Sequence, residues 1–369
     1  MSENQVESNN RNQLTKAPSR NELIQANLNL LPEADQESFR ASYASGKYVH
    51  PQSERLRVHL DRLASTGLVV RAHPGIYALA QVWNRDSKRI RTYQLIRTLA
   101  GIHPNWIFWG PSAAVVHGLA ISNRYLDVLH VSAGPTHRRS SPRICWHTDA
   151  HLETTQVNGV AVTSFAKTTF DCMRYLNFSH ALAIADSALR INQAGPNWLS
   201  ETLLPLSHGR ANARHALEVA KFADGRAENG GESIARATII KLGYELPDLQ
   251  VELANEVTGG VNRVDFYWQL PAGNVVIGEL DGRTKYYGEE VWSPDEKLAT
   301  SYTIEQLSNE RLRESQLTLE GKVMRFSPKQ AANPAELGPL LETYGIPRPR
   351  ESQDFDYRHV IAPWTGDKG

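Results

Sequence analysis

The 369-residue chain is poor in cysteine and methionine, with two of the first and three of the second. Two cysteines, Cys145 and Cys172, cannot build a disulfide scaffold, and neither belongs to a CxxC pair of the kind that opens a zinc knuckle. Long apolar runs are missing as well, so no segment has the length to cross a membrane. The opening stretch MSENQVESNNRNQLTKAPSR is polar and lacks the apolar core of a secretory leader. These absences lead to the expectation of a cytoplasmic protein with no membrane partner. Net charge is the last absence, since Lys+Arg and Asp+Glu are both 40. That balance excludes a globally basic nucleic-acid binder but leaves room for local asymmetry.

What is present is ordinary globular material, with 41% hydrophobic and 22% charged residues. A chain this long exceeds what one core usually serves, so two or three domains are expected. Charge is uneven along it. Between His50 and Arg97 there are nine Lys and Arg residues and three acids. Within that region Ser53 is placed to cap a helix on which Leu56, Leu60 and Leu63 recur on one face, and Gly67 ends it. LVVRA, the turn HPG and IYALA then read as a β-hairpin. A helix followed by a two-stranded wing is the reading half of a winged helix-turn-helix. Arg55, Arg57 and Arg62 on the helix and Arg71 on the wing are the candidate contacts to duplex DNA, with His73 beside them. Glu22 to Ala44 is loosely helical ahead of this unit.

The middle of the chain reads as α/β. NWIFWGPSAAVVHGLA suggests a strand running into a helix, YLDVLHVSAG and VAVTSF short strands, and HALAIADSALRI a helix. His208 to Gly225 suggests a connecting helix, and RAENGGES a flexible junction. From Gly231 onward the order is helix, strand, a two-stranded hairpin, helix, strand, which implies a mixed sheet. The expected boundaries are a disordered tail over 1–20, a winged helix over 21–82, a central α/β domain over 83–207, a linker helix over 208–230, the mixed-sheet domain over 231–347 and a tail over 348–369. The fold class is thus multidomain α/β.

RAHPGIYALA, GPSAAVVHGL, GVAVTSFAKTTFDCMRYL and AIADSALR, in that order, resemble the AbiEi-type antitoxins of bacterial type IV toxin–antitoxin systems, over about Glu22 to Ala223. The resemblance implies a DNA-binding repressor, a cognate toxin as partner and a central nucleotidyltransferase-like scaffold. Nucleotidyl transfer needs two carboxylates at i and i+2 on one strand to hold Mg²⁺. Gly110, Pro111 and Ser112 resemble the phosphate loop, but the strand offers Asp127-Val128-Leu129 and no second carboxylate. The central domain is therefore expected to be inert.

NRVDFYWQL and NVVIGELDGRTKYYG resemble the PD-(D/E)XK nucleases, nearest the very-short-patch-repair (Vsr)-like endonucleases, over about Gly231 to Pro328. The resemblance implies a restriction-endonuclease-like mixed sheet. It also implies that Asp265 and Glu279 hold Mg²⁺ or Mn²⁺ and that Glu232, on a helix, assists. Asp281 stands where that family has lysine. Lys285 would then hold or activate the attacking water, Asp281 would be a further metal ligand or the anchor of the Asp-Gly turn, and Arg283 a phosphate contact. The later helix is less basic than the resemblance leads one to expect, offering Arg311 and Arg313 beside Glu305 and Glu310. The competing reading is an inactive nuclease-like fold in a non-enzymatic repressor.

Other residues are expected to be structural. His117 reads as a packed core histidine, Trp106, Trp109, Tyr286 and Tyr287 as packing aromatics, and Ser112 as lacking triad partners. Cys145 and His147 read as a pair without the further ligands a zinc site needs.

Overall fold

In the structure, a computed structural model, the described residues are 18–136, 138–149, 151–255, 259–281, 304–353 and 355. The chain is mixed α/β and divides into two compact units, one running to Arg85 with the segment ending at Leu312, the other taking the remainder from Asp86.

The first unit begins with α1 (Arg20–Leu28) and α2 (Glu33–Ala44). Ser19 caps α1 in a capping box with Glu22, so the helix begins at the last residue of the expected tail. The stretch expected to be one loose helix is two, because Pro32 has no N–H to continue α1 and instead opens α2. Next come α3 (Glu54–Ser65), β1 (Val69–His73), β2 (Ile76–Leu79) and α4 (Ala80–Arg85). Ser53 accepts from the Leu56 N–H at 3.2 Å to start α3. The β1–β2 hairpin is antiparallel and turns at Gly75, whose φ of 71° suits a residue without Cβ. Val49 adds an antiparallel bridge to Tyr77. Leu28, Phe39, Leu60, Val69, Ile76 and Leu79 are buried together in its core residues.

The second unit holds two sheets. Its first part runs α5 (Lys88–Ile102), β3 (Ile107–Phe108), α6 (Gly110–His117), β4 (Leu129–Ser132), β5 (Ile144–His147), β6 (Thr154–Val157) and β7 (Val160–Thr163). It continues with α7 (Phe165–Tyr175), α8 (Phe178–Asn192), α9 (Pro196–Ser207) and α10 (Ala213–Ala220). Strand order is β5-β4-β3-β7-β6, with β4–β5 and β3–β7 parallel. The expected linker helix is shorter than its sequence pattern and is not a spacer. His215, Ala216, Val219 and Ala220 of α10 are buried, and His215 Nε2 lies 2.9 Å from the Leu176 carbonyl.

The second part is α11 (Gly230–Leu242), β8 (Asp248–Asn255), β9 (Gly260–Gln269), β10 (Val275–Leu280), α12 (Ile304–Glu320), β11 (Lys322–Phe326), α13 (Pro328–Ala332) and α14 (Pro334–Thr343). Strand order is β11-β10-β9-β8, with β10–β11 parallel and the other pairs antiparallel. One cluster buries Phe266, Trp268, Val276, Met324 and Phe326 with Ala235 and Ile239 of α11. A second buries Val264 and Ile277 with Leu317 of α12. β10 is buried on both faces, which explains its continuous apolar run, whereas β9 alternates buried with more exposed residues.

No flexible junction separates the two parts. Asn229 caps α11, and Gly230 and Gly231 are its first turn. A Cβ on Gly231 would stand 2.8 Å from Leu280 Cδ2, so Gly231 serves close packing of the helix on the strand end, whereas a Cβ on Gly230 would meet only ordinary contacts. Along α11, Arg236 meets Asp186 of α8 at 3.0 Å, both buried. Burial pushes Asp186 up to about 6 despite that partner. Part of the expected C-terminal tail is also packed. Arg350 N–H donates to the Gly243 carbonyl at 3.2 Å, and Phe355 stacks on Phe178 with centroids 4.4 Å apart.

Candidate functional site

Three acids singled out in the sequence come together where α11 meets the middle of β9 and the end of β10. Glu232 lies in the first turn of α11 and is buried. Its carboxylate accepts from the Glu228 N–H at 2.8 Å, the Gln250 carboxamide at 3.0 Å and the Asn229 side chain. Asp265 on β9 accepts from the Leu280 N–H at 2.9 Å, which pins it to the end of β10. Glu279 precedes Leu280 on β10 and is buried.

Gln250 links the first two acids, donating also to Asp265 at 3.4 Å. It lies on β8, where Leu249 pairs with Phe266 and Val251 with Val264, so Gln250 sits opposite Asp265. Its φ is 55°, a left-handed conformation uncommon for a residue with a side chain. Strain of this kind persists only where the surroundings enforce it, and it gathers at functional sites.

The electrostatics follow from removing like charges from water. Burial, with Asp265 next in effect, raises Glu232 from its ordinary 4.5 to about 8. Burial raises Asp265 too. Burial raises Glu279 to about 7, although the Arg313 guanidinium opposes the rise. Arg313 on α12 grips both oxygens of Glu279, at 3.0 and 3.3 Å, and also donates to the Arg263 carbonyl at 2.7 Å. The set is therefore rich in carboxyl groups, with Arg313 paired directly to Glu279 and with Arg190, Arg263 and Arg325 acting on the acids electrostatically.

The neighbouring candidates divide. Asp281 follows β10 directly, and its N–H donates to the Phe326 carbonyl at 2.9 Å. Lys285 and Arg283, like Tyr286 and Tyr287, lie outside the described residues.

In the first unit, Arg55 and Arg62 are exposed on α3 and enter no ion pair among the described residues. Val58 lies between them at helical spacing and is 48% exposed. Arg57 is tied to Glu54 and, at 3.8 Å, to Asp61. Arg71 is tied to Asp61, which Tyr77 also holds. The free basic face is thus narrower than the arginine count suggests.

In the central region, Asp127 is exposed and pairs with Lys88 at 2.6 Å. Ser112 is buried and accepts the His130 N–H at 2.8 Å. His117 is half-buried, with Nε2 2.7 Å from the Thr163 carbonyl. Burial lowers its pKa.

The expectation that Cys145 and His147 lack a further ligand fails. His130, Cys145 and His147 place their ligand atoms all within 4.8 Å of one another, the only such His/Cys/Asp/Glu trio among the described residues. The signal missed was pairing. Parallel register sets His130 of β4 beside Cys145 of β5. The three carboxylates of the second sheet do not close to that distance. A buried ionic group was missed too, in which Lys167 meets Asp149 at 2.6 Å as well as Asp171, and Asp171 meets Arg174 at 2.8 Å.

No family model matches the chain. Two uncharacterized proteins of Mycobacterium tuberculosis, from strains CDC 1551 and H37Rv, are each 29% identical to it over 217 residues. The match covers 58% of this chain and 74% of each relative. Among the described residues no helix is long and apolar enough to cross a membrane.

Proposed function

We propose that the chain is a DNA-binding protein whose second sheet is a restriction-endonuclease-like domain carrying a Mg²⁺- or Mn²⁺-dependent endonuclease site. The observation that carries this reading is the convergence of buried Glu232 and Glu279 with partly buried Asp265, all three with pKa values raised by burial. A donor set of carboxylate oxygens on a rigid backbone suits a hard divalent cation. Asp265, Glu279 and Asp281 would hold it. When bound, such a cation polarises a phosphodiester and acidifies a water.

The chain's own residues have separable tasks. The Leu280 N–H and Gln250 orient Asp265. The Asn229 cap and the Glu228 N–H orient Glu232, whose pKa near 8 lets it take or give a proton at neutral pH. Arg313 occupies Glu279, so cation binding on Glu279 competes with that ion pair. Lys285, in this reading, acts on the attacking water and Arg283 on the phosphate.

DNA delivery falls to the first unit, read as a winged helix. Its order of helices followed by a two-stranded hairpin supports this, with Arg55 and Arg62 facing solvent on α3. These would meet phosphates or base edges, with Val58 available to a thymine methyl. The sheet containing β3 and β4 is read as a nucleotidyltransferase-like scaffold with no transfer activity.

One observation favours a second reading, a non-enzymatic repressor or antitoxin with a cognate toxin. The Arg313–Glu279 pair satisfies, without metal, the acid that would be a central ligand. Calorimetric titration of Mn²⁺ into the full chain separates the two. Binding that disappears in Glu279→Ala supports the nuclease reading, and no heat at millimolar Mn²⁺ supports the repressor.

A further inference from the structure

We propose that His130, Cys145 and His147 form a second and different metal site, one that takes a zinc-class cation on three protein ligands and leaves a fourth position open. The site stands on the β4–β5 pair and does not depend on the carboxylate cluster.

The geometry supplies the argument. In parallel register His130 pairs with Cys145, and Ser132 with His147. Paired residues in a parallel ladder project to the same face, and so do residues two apart on one strand. His130, Cys145 and His147 therefore share a face by construction. His130 Nδ1 and His147 Nε2 lie 3.0 Å apart. Two imidazole nitrogens on a tetrahedral zinc ion would be about 3.3 Å apart, given bond lengths of about 2.0–2.1 Å. Only a few tenths of an ångström, roughly, separate the metal-free pair from that spacing.

Neighbours hold the ligands in place. The His147 ring stacks on Trp109 with centroids 4.0 Å apart and planes 22° apart. The Ser132 hydroxyl donates to the His147 carbonyl at 3.0 Å, and Ser112 fixes the His130 backbone. His130 is buried, whereas Cys145 and His147 are only partly covered, which leaves a path for the ion. Asp149, two residues past His147, is not the fourth ligand, because it holds Lys167 at 2.6 Å and Arg210 at 3.3 Å.

The donor set selects the cation. A thiolate with two imidazoles suits Zn²⁺ and disfavours Mg²⁺, which wants oxygen. Binding is a ligand substitution with no redox change. The Cys145 S–H bond breaks, its proton leaves to solvent, and the sulfur lone pair forms the bond to the metal. Structurally, the ion would staple β5, an edge strand with β4 as its ladder partner, to the rest of the sheet.

The test uses the full-length chain, stripped of metal and titrated with Co²⁺ and then Zn²⁺. In the wild type one equivalent of Co²⁺ should carry a thiolate-to-cobalt charge-transfer band in the near ultraviolet, apart from any Co²⁺ held by carboxylates, and Zn²⁺ should bleach that band. Cys145→Ser should abolish the band and weaken Zn²⁺ binding by at least about a hundredfold, the upper end of what even outer-shell partners contribute. Glu279→Gln should leave both unchanged. Should Cys145→Ser disturb folding, His147→Gln gives the same reading through weakened Zn²⁺ competition with the band retained at higher Co²⁺. No charge-transfer band in the wild type, or a band that persists in Cys145→Ser, overturns the site.

Discussion

Replacing Glu279 by glutamine should flatten the dependence of stability on pH. In the folded protein this acid holds its proton up to about pH 7, against an ordinary value of 4.5. The folded state therefore binds the proton more tightly than the unfolded chain. Its contribution to stability is fully present below about pH 4.5 and is lost as pH rises through about 7. At about 1.4 kcal/mol for each tenfold change in proton affinity, the loss amounts to at most about 3 kcal/mol. Glutamine cannot ionise, so the variant should lack this component. Urea unfolding of the full chain at pH 5 and pH 8.5, with chelator present, measures the difference. The wild type should lose more stability between the two than Glu279→Gln, by up to about 3 kcal/mol. Millimolar Mn²⁺ should restore the wild type at pH 8.5, because the cation favours the charged carboxylates, and should do little for the variant. Parallel pH curves for the two proteins would refute the claim that Glu279 is a buried acid short of positive charge.

Two other perturbations probe different links. Arg55→Ala combined with Arg62→Ala should weaken duplex binding similarly across sequences and reduce the slope of log affinity against log salt by about 2, as read by mobility shift. Arg57→Ala should do less, since that guanidinium is already paired with Glu54 and Asp61. Gly231→Ala should lower the melting temperature and weaken Mn²⁺ binding together. Its Cβ would stand 2.8 Å from Leu280 Cδ2 and 3.0 Å from the Asn229 cap oxygen, so the Leu280 side chain and the cap beside Glu232 must shift. A melting curve and a Mn²⁺ titration indistinguishable from wild type would contradict that packing.

The alternation in NRVDFYWQL and the apolar run in NVVIGEL made β9 and β10 legible, and with them the placing of Asp265 beside the end of the strand that carries Glu279. The helix carrying Glu232 was legible for the same reason, but its start was not. The glycine pair reads locally as a joint, and the need for glycine comes from Leu280, nearly fifty residues away. Gln250 escaped notice because its role depends on a left-handed backbone opposite Asp265, which no residue type announces. Arg313 was visible as a charge on the later helix, yet its partner was not, since the contact with Glu279 requires α12 to be packed over Ile277 and Val264. His130 was missed because a parallel ladder joins strands through a long connection, and register across such a connection is not written in either strand alone. Hydrophobic period reveals elements. Side chains that meet between elements follow from packing.

The most direct test of the account is nicking of supercoiled plasmid by the full-length protein in Mn²⁺, with wild type and Asp265→Asn purified in parallel. Asp265 is the acid pinned by Leu280 and bridged through Gln250 to Glu232, so the amide should remove metal affinity while keeping the side chain's size and the one accepting oxygen that the Leu280 N–H needs. The account predicts metal-dependent nicking by the wild type that chelator stops and that Asp265→Asn lacks. Wild-type protein that binds the plasmid without nicking it, or nicking of equal strength by Asp265→Asn, would contradict the assignment of this cluster as a nuclease site.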